Sequence, residues 1–119
     1  MTTGKDLLIG IVGPCGAGKT TLANGLTALG YNARAIAQEH SYVPDMWQRL
    51  TRPDVLIFLQ ASRDTGAQRR HMNWTEAEWQ EQQHRLRHAR QHAHFYLETD
   101  TFSIQEVLQQ VLNFLNSRK

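Results

Sequence analysis

The residues Gly13-Pro14-Cys15-Gly16-Ala17-Gly18-Lys19-Thr20 match the pattern G-x-x-x-x-G-K-[ST] at every fixed position. The chemistry this pattern serves is anion binding. Glycines let the backbone curl so that consecutive N–H groups point inward as a nest. The first turn of a following helix adds unpaired N–H groups and the positive end of its dipole. Lys19 would reach the β- and γ-phosphates of a nucleotide, Thr20 would place its hydroxyl on Mg²⁺, and Thr21 would touch the α-phosphate. From average residue frequencies, the fixed positions coincide by chance in well under about 1% of chains of this length. The expectation is a loop of Walker A type that binds ATP with Mg²⁺ through Gly13 to Thr21.

The surrounding sequence supplies the elements such a loop needs. Leu7 to Val12 is a continuous apolar run, the pattern of a strand buried on both faces. Behind the loop, Leu22, Leu26 and Leu29 recur at helical spacing and Gly30 supplies a stop. Ala33 to Ala37 reads as a second strand and Pro44 to Leu50 as a short helical turn. Val55-Leu56-Ile57-Phe58-Leu59 is a further buried strand. Thr75 and Glu78 form a capping box that opens a helix expected to run to about His92. Its apolar face is thin (Trp79, Leu86, Ala93), which places it on the surface or across an opening.

Phe95-Tyr96-Leu97 makes a last short strand, and Ser103 with Glu106 is a second capping box, stapled by Phe102 and Val107. Ile104, Val107, Leu108, Val111, Leu112 and Leu115 then trace one helical stripe. The alternation predicts an α/β fold in three layers: a mostly parallel sheet of about four strands with helices on both faces. Ligands of such sheets sit at the carboxyl ends of the strands, where the loop after Val12 must lie.

Composition bounds the function. A chain of 119 residues, 40% apolar, reads as one domain over 1–119 with a modest core that leaves room for a homo-oligomer. The net charge of +2 is too small to argue for nucleic acid or an anionic membrane. Between Arg63 and Arg90, six arginines face Asp64, Glu76, Glu78 and Glu81, a mixed surface rather than a basic stripe. Lys5 and the run to Val12 imitate a short signal sequence but lead into Gly, Lys and Thr instead of a cleavage site. No stretch approaches the roughly 18 apolar residues of a membrane span. The single cysteine, Cys15, excludes an intrachain disulfide and suits a reducing, cytoplasmic compartment.

Absent residues narrow the nucleotide class. No lysine sits in the N-K-x-D base-recognition motif of guanine-specific GTPases. The strand Val55 to Leu59 ends in Gln60-Ala61, without the acidic residue that motor-type ATPases carry there. The order of the remaining features resembles the small P-loop kinases, the nucleoside and nucleoside-monophosphate kinases and their metabolite-kinase relatives. The matching pieces are the loop itself, the "pDvvifL" strand Pro53-Asp54-Val55-Leu56-Ile57-Phe58-Leu59, Arg69-Arg70, the helix from Thr75, and Phe95 to Thr101. Only the loop motif is specific; the rest is pattern. The resemblance implies a lid-like helical segment over 63–93, with Lys19 stabilising the transferring phosphoryl group. Arg63, Arg69 or Arg70 would then neutralise charge or stack on adenine, and Asp100-Thr101 would border the base. Each of these arginines reads equally well as part of a solvated face.

The chain departs from the family between Gly30 and Arg52, where an acceptor-binding region is usually longer. Gln38-Glu39-His40-Ser41 resembles the acidic D-R-x-x-S site of thymidylate kinases. Glu39 would hold Mg²⁺ through water or take a proton from an acceptor hydroxyl, or it is an ordinary turn carboxylate. Two functions follow. One is an ATP-dependent phosphotransferase acting on a small hydroxyl or phosphate acceptor; the other is a non-catalytic nucleotide-binding module or regulator that has lost its acceptor site.

Weaker constellations remain. His84, His88 and His92 recur every four residues and present either metal-ligand pairs or a polar lid face. Trp74 and Trp79 stack on a base or anchor a helix. Met46 and Trp47 fill the core beside the short helix. Cys15 is either an oxidisable thiol inside the phosphate loop or a small tolerated side chain.

Overall fold

Leu8–Val12 forms strand β1, and Val55–Gln60 forms β3, the two central strands of a four-stranded sheet. Ile9, Ile11, Val12 and Val55 to Leu59 are fully buried, as continuous apolar runs in a sheet covered on both faces require. The computed structural model describes residues 7–70, without the side chain of Arg70, and residues 75–118. Lys5 and Trp74 therefore lie outside the described residues. Strand β2 (Asn32–Ala35) flanks β1 and β4 (Phe95–Glu98) flanks β3, giving the order β2-β1-β3-β4 with every pairing parallel.

The layering follows from the order of connections. Helix α1 (Lys19–Ala28) carries the chain from β1 outward to β2, and α2 (Met46–Leu50) precedes the return past β1 to β3. Parallel crossovers are right-handed, so connections that run in opposite directions must cover opposite faces. One face packs Ile9, Ile11, Val55, Ile57 and Leu59 against Leu22 and Leu26 of α1, with Val107, Val111 and Leu115 of α6 (Ile104–Ser117). The other packs Val12, Leu56 and Phe58 against Trp47 of α2, and against Leu86 and Ala89. Expected and observed architecture agree.

Local chemistry sets the element ends. Helix α1 closes in a Schellman motif: Tyr31 N–H donates to Leu26 O at 3.0 Å and Gly30 N–H to Thr27 O at 3.0 Å, with Gly30 at φ 94°. Both capping boxes form, Thr75 with Glu78 and Ser103 with Glu106. The helix expected from Thr75 to His92 is instead two, α4 (Glu76–Arg85) and α5 (Arg87–His92), separated at Leu86. The break turns Leu86 fully into the core, with Ala89 beside it, although no Gly or Pro marks it. Ile104, placed on the apolar stripe of α6, is 64% exposed. It lies ahead of the part of α6 that the sheet covers. Met46 is half-buried, and Trp47 alone of that pair enters the core.

β1 feeds β2 on one side, and the next strand, β3, joins on its other side. This reversal opens a crevice at the carboxyl ends of β1 and β3, the usual ligand position in open parallel sheets.

Candidate functional site

The loop 13–18 fills that crevice between the end of β1 and the start of α1. Gly13, Gly16 and Gly18 all take positive φ. At Gly16 the requirement is also steric: an added Cβ would lie 2.6 Å from Gly66 Cα, so helix α3 (Arg63–Arg70) rests on the loop glycine against glycine. One turn beyond Gly66, Arg69 donates to Gly16 O at 3.0 Å, to Thr99 Oγ1 at 2.9 Å and to Thr99 O at 2.8 Å. Thr99 is buried, and its hydroxyl lies within hydrogen-bond distance of Ala17 O and Gln60 O. Thr99 thus ties the ends of β3 and β4 to the phosphate loop.

Lys19 is held inside the site. Its Nζ donates to Gly13 O at 2.8 Å, Pro14 O at 3.1 Å and Glu39 Oε2 at 2.6 Å. The two side chains are 11% and 4% exposed, so water screens this ion pair little. Glu39 sits on a 3₁₀ turn (Gln38–His40) that follows β2, and its other oxygen, Oε1, is buried with no hydrogen-bond partner. Gln38, fully buried, fastens that turn: its amide accepts from Trp47 N–H at 2.8 Å and donates to Val43 O and Arg85 O.

Helix α4 reaches the loop as well. Gln82 Oε1 accepts from Cys15 N–H at 2.9 Å, taking one of the donors expected to face a phosphate. Arg85 of the same helix donates to Glu39 O at 3.4 Å and lies over the Tyr42 ring, 4.2 Å from its centroid. A cavity of about 780 Å³ opens beside these groups, within the usual range of small-molecule sites. It runs from the loop and from Glu39 past Arg69 and Thr99 to Phe102 and Ile104.

Of the expected site residues, the cavity brings together Cys15, Gly16, Ala17, Gly18, Lys19, Thr20, Thr21, Glu39 and Arg69. Gly13 and Pro14 are buried behind it and offer their carbonyls to Lys19. Arg63 turns elsewhere, within 3.6 Å of Glu76, and links α3 to α4. The Arg70 side chain lies outside the described residues. Asp100 caps the approach to α3 by accepting from Ser62 N–H at 3.0 Å, and Thr101 is exposed. The cavity wall at that turn is Thr99 and Phe102 to Ile104 instead. The sequence did not point to Gln82, and it carried Thr99 and His40 only inside the segments Phe95 to Thr101 and Gln38 to Ser41 without a role, because the contacts of all three with the loop depend on the tertiary fold.

The histidine ladder also finds other employment. His88 Nδ1 accepts from Trp47 Nε1–H at 3.1 Å, and the His88 and His92 rings stack 4.2 Å apart. Both rings lie against Trp47, so this face of α5 packs rather than gathers ligands. Among the described residues no helix is long and apolar enough to cross a membrane.

A parallel sheet in the order β2-β1-β3-β4, with a G-x-x-x-x-G-K-T loop at its switch point, defines the class: this is the small P-loop kinase fold. Among solved structures, shikimate kinase from Acinetobacter baumannii in complex with shikimate is similar to it. The two share 18% identity at a TM-score of 0.66, over 95% of this chain and 94% of that one. At that identity the likeness is one of fold. No family model matches the chain, and no curated protein matches it in sequence.

Proposed function

We propose that this chain binds ATP with Mg²⁺ in the cavity beside Gly13–Thr21 and transfers the γ-phosphoryl group to a small hydroxyl or phosphate acceptor. The observation that carries the reading is Lys19. Its ammonium is positioned in a glycine nest at the head of a helix, facing a cavity of nucleotide size, with a buried carboxylate as its exchangeable partner. The residues present fit the nucleotide. Thr20 and Thr21 are exposed on the cavity wall, where a hydroxyl for Mg²⁺ and one for the α-phosphate belong. Arg69 is the guanidinium nearest the loop and is the arginine we assign to charge neutralisation. Phe102 and Ile104 offer apolar surface for a base.

Mg²⁺ at Thr20 would supply charge neutralisation across the phosphates. The chain's own contribution is positioning: the loop N–H groups and Lys19 fix the phosphates, and Arg69 borders them from the cavity wall. Glu39, once Lys19 turns to phosphate, has a carboxylate free to accept the proton of an acceptor hydroxyl. The solved kinase of similar fold is in complex with shikimate, which supports a small-molecule acceptor here.

The test has two parts. ATP with Mg²⁺ is expected to raise the Tm by mass action, and Lys19→Ala to abolish most of that shift; no shift with any nucleotide at millimolar concentration overturns the reading. Nucleosides, nucleoside monophosphates, shikimate and other small metabolites are then screened for ATP-dependent phosphorylation. Uniform failure with binding intact assigns the chain to the second class, a nucleotide-binding module without an acceptor site, which the short segment Gly30 to Arg52 favours. Glu39→Gln is expected to keep ATP binding and lose turnover.

A further inference from the structure

Three side chains with different ligand atoms converge at the edge of the phosphate loop. Cys15 lies on the loop, and Glu39 and His40 lie on the 3₁₀ turn after β2. The distances are 3.3 Å from Sγ to His40 Nε2, 3.7 Å from Sγ to Glu39 Oε2, and 3.8 Å from Nε2 to Oε2. A tetrahedral Zn²⁺ centre with Zn–S near 2.3 Å and Zn–N or Zn–O near 2.0–2.2 Å has ligand–ligand edges of about 3.4–3.6 Å. The three atoms therefore already stand close to the corners of one tetrahedral face.

A second, independent observation concerns Glu39. Its side chain is 4% exposed, yet Oε1 is buried without a partner, so the carboxylate has unused capacity at a depth where that is costly. Charge balance also favours a dication. Thiolate and carboxylate together neutralise it, and a neutral imidazole adds no charge. Sulfur among the ligands selects a thiophilic cation over Mg²⁺ or Ca²⁺. Lys19 opposes this arrangement because its ammonium shares Oε2. It keeps Gly13 O and Pro14 O as acceptors when it moves off the carboxylate.

We infer that Cys15, Glu39 and His40 form a site for a thiophilic divalent cation, Zn²⁺ first among them, which ties the phosphate loop to the turn after β2. On binding, the Cys15 thiol releases its proton to solvent and the sulfur coordinates the ion as thiolate. His40, with a side chain 61% exposed, gives the ion a path in from solvent. Three protein ligands leave the fourth tetrahedral position for water. The site does not depend on nucleotide binding, and its test uses no nucleotide.

The untagged full chain, reduced and freed of metal, is titrated with Zn²⁺ against a chromophoric chelator, and separately with Co²⁺ in a spectrophotometer. One Zn²⁺ per chain is expected, with Cys15→Ser and His40→Ala each weakening binding by at least about tenfold. His84→Ala, a change at an exposed helix position, is expected to leave it unaltered. Bound Co²⁺ is expected to show a near-ultraviolet thiolate charge-transfer band that Cys15→Ser removes. Less than one ion per chain, wild-type affinity in either ligand variant, or a Co²⁺ spectrum without the thiolate band overturns the proposal. If Cys15→Ser fails to fold by circular dichroism, His40→Ala, at an exposed position, still decides the affinity.

Discussion

Replacing Lys19 with methionine keeps most of the aliphatic stem and removes the charge with its three donors. In the wild type the ammonium lies 2.6 Å from Glu39 Oε2, and the side chains are only 11% and 4% exposed. The substitution leaves Glu39 buried with Oε1 unpartnered and Oε2 keeping only the Cys15 thiol at 3.7 Å and His40 Nε2 at 3.8 Å. Breaking a buried pair from one side costs about 3–5 kcal/mol. The added apolar burial of a methionine offsets about 1 kcal/mol, so the expected net loss is about 2–4 kcal/mol. For a chain of this size, 1 kcal/mol moves the Tm by about 4 °C, giving a fall of about 8–16 °C.

Glu39→Gln is milder, about 1–3 kcal/mol, because an amide oxygen still accepts from Lys19 while the charge is gone. The double variant removes both charges and is expected to cost less than the sum of the singles by at least about 1 kcal/mol. Urea unfolding followed by circular dichroism, without nucleotide or divalent metal, measures all three. Additivity within about 0.5 kcal/mol would show a solvated pair and refute the reasoning.

The other expected outcomes concern the frame around the site. Gly18→Ala meets nothing within 4 Å and pays only for its φ of 96°, about 1 kcal/mol after the entropy gain in the unfolded chain. Gly16→Ala adds a contact with the backbone of Gly66, so thermal unfolding is expected to show a loss above about 3 kcal/mol. Thr99→Val removes an acceptor from Arg69 and a buried hydroxyl from between Ala17 O and Gln60 O; a loss of about 1–3 kcal/mol is expected in the same assay. Ser103→Ala opens the capping box of α6 and is expected to cost about 1 kcal/mol, read as faster amide exchange at Glu106 and a Tm about 4 °C lower.

The parts legible in the sequence are those where one local pattern suffices. β1 and β3 are buried on both faces, so their apolar runs are unbroken, and the phosphate loop announces itself by fixed residue types. Edge strand β2 reads Asn-Ala-Arg-Ala because three of its four residues are exposed, and its bounds shift from Ala33–Ala37 to Asn32–Ala35. The break at Leu86 has no punctuating residue, and it falls where a side chain enters the core. Arg63, Arg69 and Arg70 were equivalent as letters, and only the contact of Gly66 with Gly16 aims Arg69 at the loop. Contacts such as Gln82 with Cys15 join residues 67 positions apart. They depend on which strand lies beside which, and no periodicity carries that.

In this structure the protein itself satisfies the groups that a phosphate would use. Lys19 has three protons and three acceptors, and Cys15 N–H is taken by Gln82. An arriving phosphate would therefore enter by substitution. It would displace the Gln82 side chain from Cys15 N–H, and it would draw Lys19 off Glu39. That second exchange leaves a buried carboxylate whose Oε1 is unpartnered and whose Oε2 keeps only the Cys15 thiol at 3.7 Å and His40 Nε2 at 3.8 Å, a state that costs more than the lost bond alone. Something must then claim Glu39: a hydrated Mg²⁺, the proton of an acceptor hydroxyl, or another cation such as the one that Cys15 and His40 would share. On the proposed function, nucleotide binding and catalysis would separate at this residue. A chain in which the acceptor claims Glu39 is a kinase. A chain in which a bound cation claims it has a reason to keep the phosphate loop without turning anything over.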